Sequence, residues 1–323
     1  MRNFQSITVH NERQFRALTG VSQKEFDRLL PEFTRSLESA QQQRYRQHQT
    51  QRRRRPGGGR KGALSLPELK LFFLLFYLKN YPSFDVLGSL FNISPSKAEE
   101  QVMKLIPILK QVEQHLHVLP HRHFKPVQND DQPTENINQP TENINKIMID
   151  ATERPCCRPQ HGRRQKNYYS GKKHAHTLKN TVVATVHGGM DAIGPTAPGR
   201  RHDYALLKEE LNPEQPGLSS VEVYVDLGYQ GIEKDYPKLH KIHIPHKKPR
   251  KLEANPNPTL TPKQKKENRA ISRVRVAVEH LIGDLKNFQI LTSKFRNHIA
   301  NLGDQVILVV AGLCNLRNNY EVQ

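Results

Sequence analysis

Apolar residues recur at helical spacing through the first third of the chain. Behind Ser22, a residue type that caps helices, apolar residues follow at steps of three and four from Phe26 to Phe33. Residues 66–79 are almost continuously apolar, which predicts a helix at the centre of a core. The pattern therefore predicts a helical N-terminal part.

A short helix, a tight turn and a capped helix are predicted next. Residues 83–91 form the short helix, and FNISPS forms the turn, with Ser94 as N-cap and Pro95 at the first helical position. The following helix buries apolar residues between 98 and 109 and exposes polar ones. This order predicts a helix-turn-helix whose second helix enters a DNA major groove, although an ordinary αα-hairpin also fits.

After residue 145 the pattern changes to short apolar runs, as in residues 147–149 and 221–225, which are typical of buried strands. Helices are predicted at RRHDYALLKEEL, around residues 271–288 and at 305–316. The order predicts an α/β fold, a mixed sheet flanked by helices, preceded by the all-α helix-turn-helix domain.

The charge balance points to a polyanionic partner. Fifty Lys and Arg face 31 Asp and Glu, a net charge of +19, which favours nucleic acid over a merely soluble basic protein. Residues 41–62 hold eight Lys and Arg and no acid, so we expect a flexible basic arm. Its four consecutive arginines suit a minor groove, and a solvated linker is the alternative.

Several other functions are disfavoured by the sequence. Three cysteines do not make a disulfide framework, and no second ligand pair supports zinc at Cys156, Cys157 and His161. The N-terminus lacks an apolar signal-peptide core, and the longest apolar run, residues 71–78, is too short to span a bilayer. We therefore expect a reducing, cytoplasmic setting and no membrane partner.

Three acids carry the candidate chemistry. Asp150 and Asp226 each end a predicted strand, and Glu279 lies in the middle of a predicted helix. Such carboxylates can converge and hold two hard cations, an arrangement that promotes in-line phosphoryl displacement. Strand-ending aspartates are more often turn or cap residues, and that interpretation remains open for each alone.

The helix around Glu279 has two separate faces. Apolar residues recur at three- and four-residue steps from Ile271 to Phe288, and Glu279 points away from that stripe. Arg275 and Lys286 lie within about 40° of Glu279 around the helix axis. The alternative is an ordinary Arg–Glu surface pair, which would contribute only a few tenths of a kcal/mol.

These features resemble a bacterial insertion-sequence transposase of the DDE superfamily, close to insertion sequence family five and distantly similar to Harbinger-type transposases. The resemblance covers most of the chain. It rests on LTGVSQKEFDRLL, GGGRKGALSLPEL, IDATERP, YYSGKKHAHTLK, PGRRHDY, VDLGYQG and RVRVAVEHLIGDLK.

The resemblance implies an RNase H-like catalytic domain in which Asp150, Asp226 and Glu279 bind two Mg²⁺ ions, with Mn²⁺ able to substitute. The family motif Tyr-x2-Arg-x3-Glu-x6-Lys maps onto Arg275, Glu279 and Lys286, but its tyrosine position holds Ser272. Asp203 is a further family-like acid, which we expect to be structural or to support the metal ligands without binding metal, because it opens a predicted helix, where an N-cap aspartate is common.

The implied reaction is metal-assisted cleavage of DNA at the ends of an element, followed by strand transfer to target DNA. Expected partners are double-stranded DNA, as terminal inverted repeats and target, and a homodimer or higher oligomer at the bacterial nucleoid. A non-integrating endonuclease and a catalytically silent DNA-binding protein are the alternatives. Expected DNA contacts are Arg52, Arg53, Arg54, Arg55, Lys97, Lys104, Lys172, Lys173, Lys179, Arg275 and Lys286.

The predicted organisation has five parts. They are an N-terminal helical segment (1–40), the basic arm (41–62), the helix-turn-helix domain (63–119), a linker with a tandem QPTENIN repeat (120–145) and the catalytic domain (146–323).

Overall fold

The computed structural model describes residues 2–4, 7–47, 62–126, 145–251, 257–299 and 301–322. The four arginines of the predicted arm lie outside the described residues, as does the repeat in the predicted linker except for its last residue, Asn145. The chain forms two compact units. The first comprises Met1–Leu119, Arg154–Cys157 and Asp284–Glu321, and the second comprises Pro120–Glu153, Arg158–Gly283 and Val322–Gln323.

The described elements before residue 120 are mostly helices, whereas strands and helices alternate after it. Up to residue 119, the elements are β1 (Arg2–Phe4), β2 (Ile7–Val9), α1 (Glu12–Thr19), α2 (Gln23–Gln47), α3 (Pro67–Asn80), α4 (Phe84–Leu90) and α5 (Pro95–His115). They continue with β3 (Asn145–Pro155), α6 (Gly162–Tyr168), β4 (Tyr169–Ser170), β5 (Ala175–Thr185), β6 (Met190–Ile193), β7 (Ala197–Pro198), α7 (Asp203–Glu210), β8 (Val221–Tyr224), α8 (Ile232–Asp235), β9 (Lys241–His243), α9 (Pro262–Lys286), α10 (Gln289–Thr292) and α11 (Leu302–Arg317).

Local contacts explain where the N-terminal helices begin. Ser22 and Glu25 form a reciprocal capping box: the Ser22 N–H donates to Glu25 Oε2 at 2.6 Å, and the Glu25 N–H donates to Ser22 Oγ at 3.2 Å. Ser94 Oγ accepts from the Lys97 N–H at 3.3 Å, and Pro95 opens α5. The predicted caps of α2 and α5 are therefore confirmed. Helix α2, however, runs to Gln47, beyond the predicted start of the arm at residue 41.

The C-terminal helix α11 packs on α5 in the first unit. It is buried almost all round, from Val306 to Leu316. The Asn315 side-chain amide donates to the Val118 carbonyl at 3.0 Å, just past the end of α5. A helix that is apolar on every face must be covered on every side. Contacts therefore assign residues 284–321 to the helical unit, whereas the sequence analysis places them in the catalytic domain.

The second unit is built on a seven-stranded mixed sheet, which confirms the predicted α/β class. The strand order is β4-β5-β3-β8-β9, and β6 and β7 pair with β5. Strands β3, β8 and β9 are parallel neighbours, whereas β6 and β7 run antiparallel to β5. One face carries a core that includes Ile149, Val223, Val225 and Tyr229. No helix in the described part of the chain has the length and apolarity needed to cross a bilayer.

Candidate active site and DNA-contacting surfaces

The parallel pairing of β3 with β8 places two predicted acids side by side. The last registered pair is Met148 with Tyr224, and Asp150 and Asp226 each stand two residues further along. Neighbouring strands lie about 4.8 Å apart, and residues two apart face the same side. The two carboxylates therefore occupy equivalent positions at one end of the sheet. Contrary to the sequence expectation, β3 does not end at Asp150 but continues to Pro155.

Asp150 is a partly buried carboxylate with two named donors. Its Oδ1 accepts from the Ala151 N–H at 2.7 Å, and its Oδ2 lies 3.5 Å from Arg275 Nη2. Burial raises the pKa of Asp150, the Ala151 N–H and Arg275 oppose that rise, and Asp226 and Asp203 add to it. The charges of three aspartates therefore act on one another at this end of the sheet.

Asp226 is fixed by the turn that follows β8. It precedes a 3₁₀ turn, Leu227–Tyr229, and its Oδ1 accepts from the Gly228 N–H at 3.2 Å. The Tyr229 N–H donates to the Asp226 carbonyl at 3.1 Å. The motif VDLGYQG thus forms a tight bend, and the Asp226 carboxylate at its start is partly exposed.

Asp203 joins the two predicted acids, but not as the expected helix cap. The N-cap of α7 is His202, whose ring accepts from the Tyr204 N–H, and Asp203 is the first residue of the helix. One Asp203 oxygen accepts from Lys179 Nζ at 2.7 Å. The cap prediction for Asp203 is therefore wrong, because its oxygen is committed to a lysine from β5 and its charge acts on Asp150.

Lys179 lies inside the fold, at a position that does not suit its predicted contact with DNA phosphate. Its side chain is only 7% exposed. The ammonium contacts Glu153 Oε1 at 3.2 Å, Asp203 Oδ1 at 2.7 Å and the Arg201 carbonyl at 2.7 Å. Three acceptors match its three N–H donors, so the group has none left for a phosphate in this arrangement.

Helix α9 brings Arg275 to Asp150, and Glu279 follows one turn later. Arg275 is mostly buried, and no group in the described ranges forms a hydrogen bond with its Nε. Glu279 is exposed, about 6 Å further along the helix axis and about 40° around it. Its carboxylate is thus carried on the helix that contacts Asp150. Lys286 is exposed in the last turn of α9.

A buried phenol that the sequence analysis overlooked belongs to the same cluster. Tyr229 is 1% exposed, and its hydroxyl has no hydrogen-bond partner among the described residues. Its ring meets that of Tyr204 edge to face at 6.0 Å. Burial raises its pKa well above the ordinary value, and Asp203, Asp150 and Asp226 add to that rise. The phenol therefore stays protonated, an O–H donor among carboxylates. In the sequence, only the position of Tyr229, three residues after Asp226, indicates that it belongs to this cluster.

The chemistry of these side chains suits hard divalent cations, which bind carboxylate oxygens. The negative charges of the three aspartates repel one another, and a bound cation would reduce that repulsion. Within the described residues, however, no three His, Cys, Asp or Glu side chains are close enough together to hold a metal ion as they stand. The carboxylate oxygens are of the type that binds such an ion, but among the described residues they do not lie close enough together to form a complete site.

A basic hairpin is attached to the strand that carries Asp150. Strands β4 and β5 pair around a turn in which Lys172 and Lys173 are exposed. Glu153, three residues past Asp150, accepts from Thr177 Oγ1 at 3.0 Å. Burial would raise the pKa of Glu153, but Ser170, Lys179 and Thr177 lower it below the ordinary value. Glu153 thus anchors both strands of the hairpin.

The two lysines predicted on the recognition helix share one acid. Lys97 Nζ lies 2.8 Å from Glu100 Oε2, and Lys104 contacts Glu100 Oε1. Hydrogen bonds from Lys104 and then Lys97 lower the pKa of Glu100 to about 2. Both lysines keep substantial exposure, so this surface carries positive charge that Glu100 partly offsets.

Two family models match the chain. Residues 149–315 match the family model described as DDE superfamily endonuclease, and residues 63–112 match that described as helix-turn-helix of DDE superfamily endonuclease. The second match supports the helix-turn-helix prediction over a plain αα-hairpin.

One curated relative is a probable transposase for insertion sequence element IS702 from Microchaete diplosiphon. It is 35% identical over 173 residues, which cover 52% of this chain and 56% of the relative. The match thus spans little more than half of that protein. No solved structure is significantly similar to the chain. Because the first family model covers about half of the chain, from Ile149 to Asn315, a range that includes Asp150, Asp226 and Glu279, the protein belongs to the DDE superfamily of endonucleases.

Proposed function

We propose that the protein is a DNA transposase that binds the terminal inverted repeats of its element, cleaves DNA with Mg²⁺ and transfers the freed strand to target DNA. The observation that supports this proposal most is the pair of aspartates, Asp150 and Asp226, each two residues past the last registered pair of the adjacent parallel strands β3 and β8. Burial raises the pKa of Asp150, and the neighbouring charges of Asp226 and Asp203 add to that rise, which supports a cation site there.

Asp150, Asp226 and Glu279 would hold two Mg²⁺ ions, or Mn²⁺ in their place. Bound ions of this kind lower the pKa of the attacking water or hydroxyl and stabilise the leaving oxygen. Arg275 orients Asp150 through Oδ2, and the Gly228 N–H orients Asp226. Glu279 would approach from α9, on which Arg275 already meets Asp150.

The DNA would be held by the helical unit and by the basic hairpin. In the helix-turn-helix, α5 would present Lys97 and Lys104 to the duplex. Lys172 and Lys173 of the hairpin and Lys286 of α9 are exposed and would contact phosphates, which positions DNA without specifying its sequence. The predicted arginine arm, Arg52 to Arg55, would add minor-groove contacts.

Two ends of one element must be brought together for strand transfer, so we propose a homodimer or higher oligomer as the active form. The substrates, genomic DNA and an element within it, place the reaction at the bacterial nucleoid.

Mg²⁺-dependent nicking of a duplex that carries an element end tests the cleavage step. Asp150→Asn, Asp226→Asn and Glu279→Gln should each slow nicking by about 10³-fold, because each removes a carboxylate that supports several kcal/mol of charge stabilisation. Glu267→Gln is the matched control, since Glu267 lies on the same helix and is exposed beside His246. Nicking by the three variants at the parent rate would reject the assignment.

The same assay separates the two alternatives. A strand-transfer product distinguishes a transposase from an endonuclease that only cuts. Duplex binding without nicking, at any Mg²⁺ or Mn²⁺ concentration, would instead favour a catalytically silent DNA-binding protein.

A further inference from the structure

Two adjoining cavities form a groove between α2 and α5. One has a volume of about 350 Å³ and the other about 440 Å³. Ala40 and Arg44 of α2, and Lys104 and Ile108 of α5, line both cavities. The smaller cavity extends to Lys70 of α3. We name this feature the α2–α5 groove.

The groove is strongly cationic. Arg44, Lys70, Lys97 and Lys104 line it, and Glu100 is the only acidic side chain among its lining residues. Glu100 is paired with both Lys97 and Lys104, so it offsets one of the four positive charges. The net charge of about +3 within one concave surface favours an anionic ligand with several charges.

Lys70 is the most informative of the four cations. It is partly buried, and no acidic partner contacts it among the described residues. Burial lowers the pKa of its ammonium group. A cation that is partly desolvated and has no ion-pair partner is energetically unfavourable unless an anion binds next to it. Arg44 likewise has no acidic partner among the described residues.

We infer that the α2–α5 groove binds the phosphodiester backbone of DNA, with Arg44 and Lys70 adding to Lys97 and Lys104. This inference rests on the proposed function, because it names a further surface by which the helix-turn-helix unit holds its duplex. A row of phosphates matches the four cations in sign and in number of charges. Lysine ammoniums act as point charges, which suits backbone positioning better than base recognition.

The salt dependence of duplex binding by the full chain tests the inference. Each phosphate contact contributes about 0.9 to the slope of log K against log salt concentration. Arg44→Gln and Lys70→Gln should each reduce the slope by about 0.9, and the double variant by about 1.8. The same relation predicts a loss of roughly eightfold in affinity per contact at about 0.1 M salt and roughly fourfold at about 0.2 M.

Two controls separate this effect from general charge and from misfolding. Arg35→Gln removes a cation of the same helix that is 71% exposed and pairs with Glu32, so it should leave the slope nearly unchanged. Lys70→Arg keeps the charge and should keep the parent slope. Circular dichroism establishes that each variant is folded.

If the folded Arg44→Gln, Lys70→Gln double variant showed the same salt slope as the parent protein, the inference would be overturned. Nicking is measured in parallel, so the two proposals can fail separately. A chain that never nicks DNA but shows the predicted slopes keeps the groove and loses the endonuclease proposal. A parent chain that does not bind DNA would overturn both.

Discussion

Replacing Lys179 by methionine distinguishes a lysine that holds the fold together from one that touches DNA. Methionine keeps the length and most of the volume of the side chain while removing its charge and three donors. The exposed fractions are 7% for Lys179, 10% for Glu153 and 33% for Asp203. Removing the ammonium leaves two carboxylates facing each other with their shared cation gone.

The expected loss of stability is large. Breaking a buried ion pair by removing one partner typically costs about 3–5 kcal/mol, because an uncompensated charge stays behind. Asp203 retains some access to water, so we expect the lower end, about 3 kcal/mol. Glu153→Gln in the Lys179→Met background should recover part of that loss, since it removes the more buried of the two remaining charges.

Equilibrium urea unfolding and the salt dependence of DNA binding are measured on the same variants. Lys179→Met should lower the free energy of unfolding and leave the salt slope unchanged. Lys172→Met and Lys173→Met, in the exposed hairpin turn, should each lower the slope by about 0.9 and change stability by less than about 0.5 kcal/mol. A Lys179→Met protein as stable as the parent, with a slope reduced by about 0.9, would refute the structural role.

Two further predictions concern buried polar groups. Glu113 is fully buried, neither of its side-chain oxygens has a hydrogen-bond partner in the described part of the chain, and burial raises its pKa well above the ordinary value. Stability is therefore greatest below that ordinary value and falls by about 1.4 kcal/mol per pH unit as the pH rises towards the folded-state pKa. Glu113→Gln should remove this slope in unfolding measured between about pH 5 and about pH 7, and the exposed Glu38→Gln should not. Equal slopes in parent and Glu113→Gln would contradict the prediction. Tyr229→Phe should raise the free energy of unfolding by about 1 kcal/mol, since it removes a buried hydroxyl that has no partner. Because the charges of Asp203, Asp150 and Asp226 act on that hydroxyl, we also expect weaker Mn²⁺ binding, by about tenfold or more, in electron paramagnetic resonance titrations. Unchanged Mn²⁺ affinity would show that the hydroxyl does not support the site.

The sequence by itself determined the elements that depend on near neighbours along the chain. Ser22 with Glu25, and Ser94 with Pro95, fix the starts of α2 and α5 through contacts between residues at most three positions apart. The apolar stripe of α9 and the bend after Asp226 are equally local. The family itself was also readable, because its motifs are contiguous stretches of sequence.

Only the tertiary structure decided which distant residues share an environment. Lys172, Lys173 and Lys179 look alike in the sequence, yet the first two are exposed and the third is enclosed by Glu153 and Asp203. The register of β3 against β8 aligns Asp150 with Asp226, and no local pattern encodes that alignment. The site and the groove depend on such long-range packing, because burial and neighbouring charge, rather than residue type, determine what a lysine, a tyrosine or an aspartate can do.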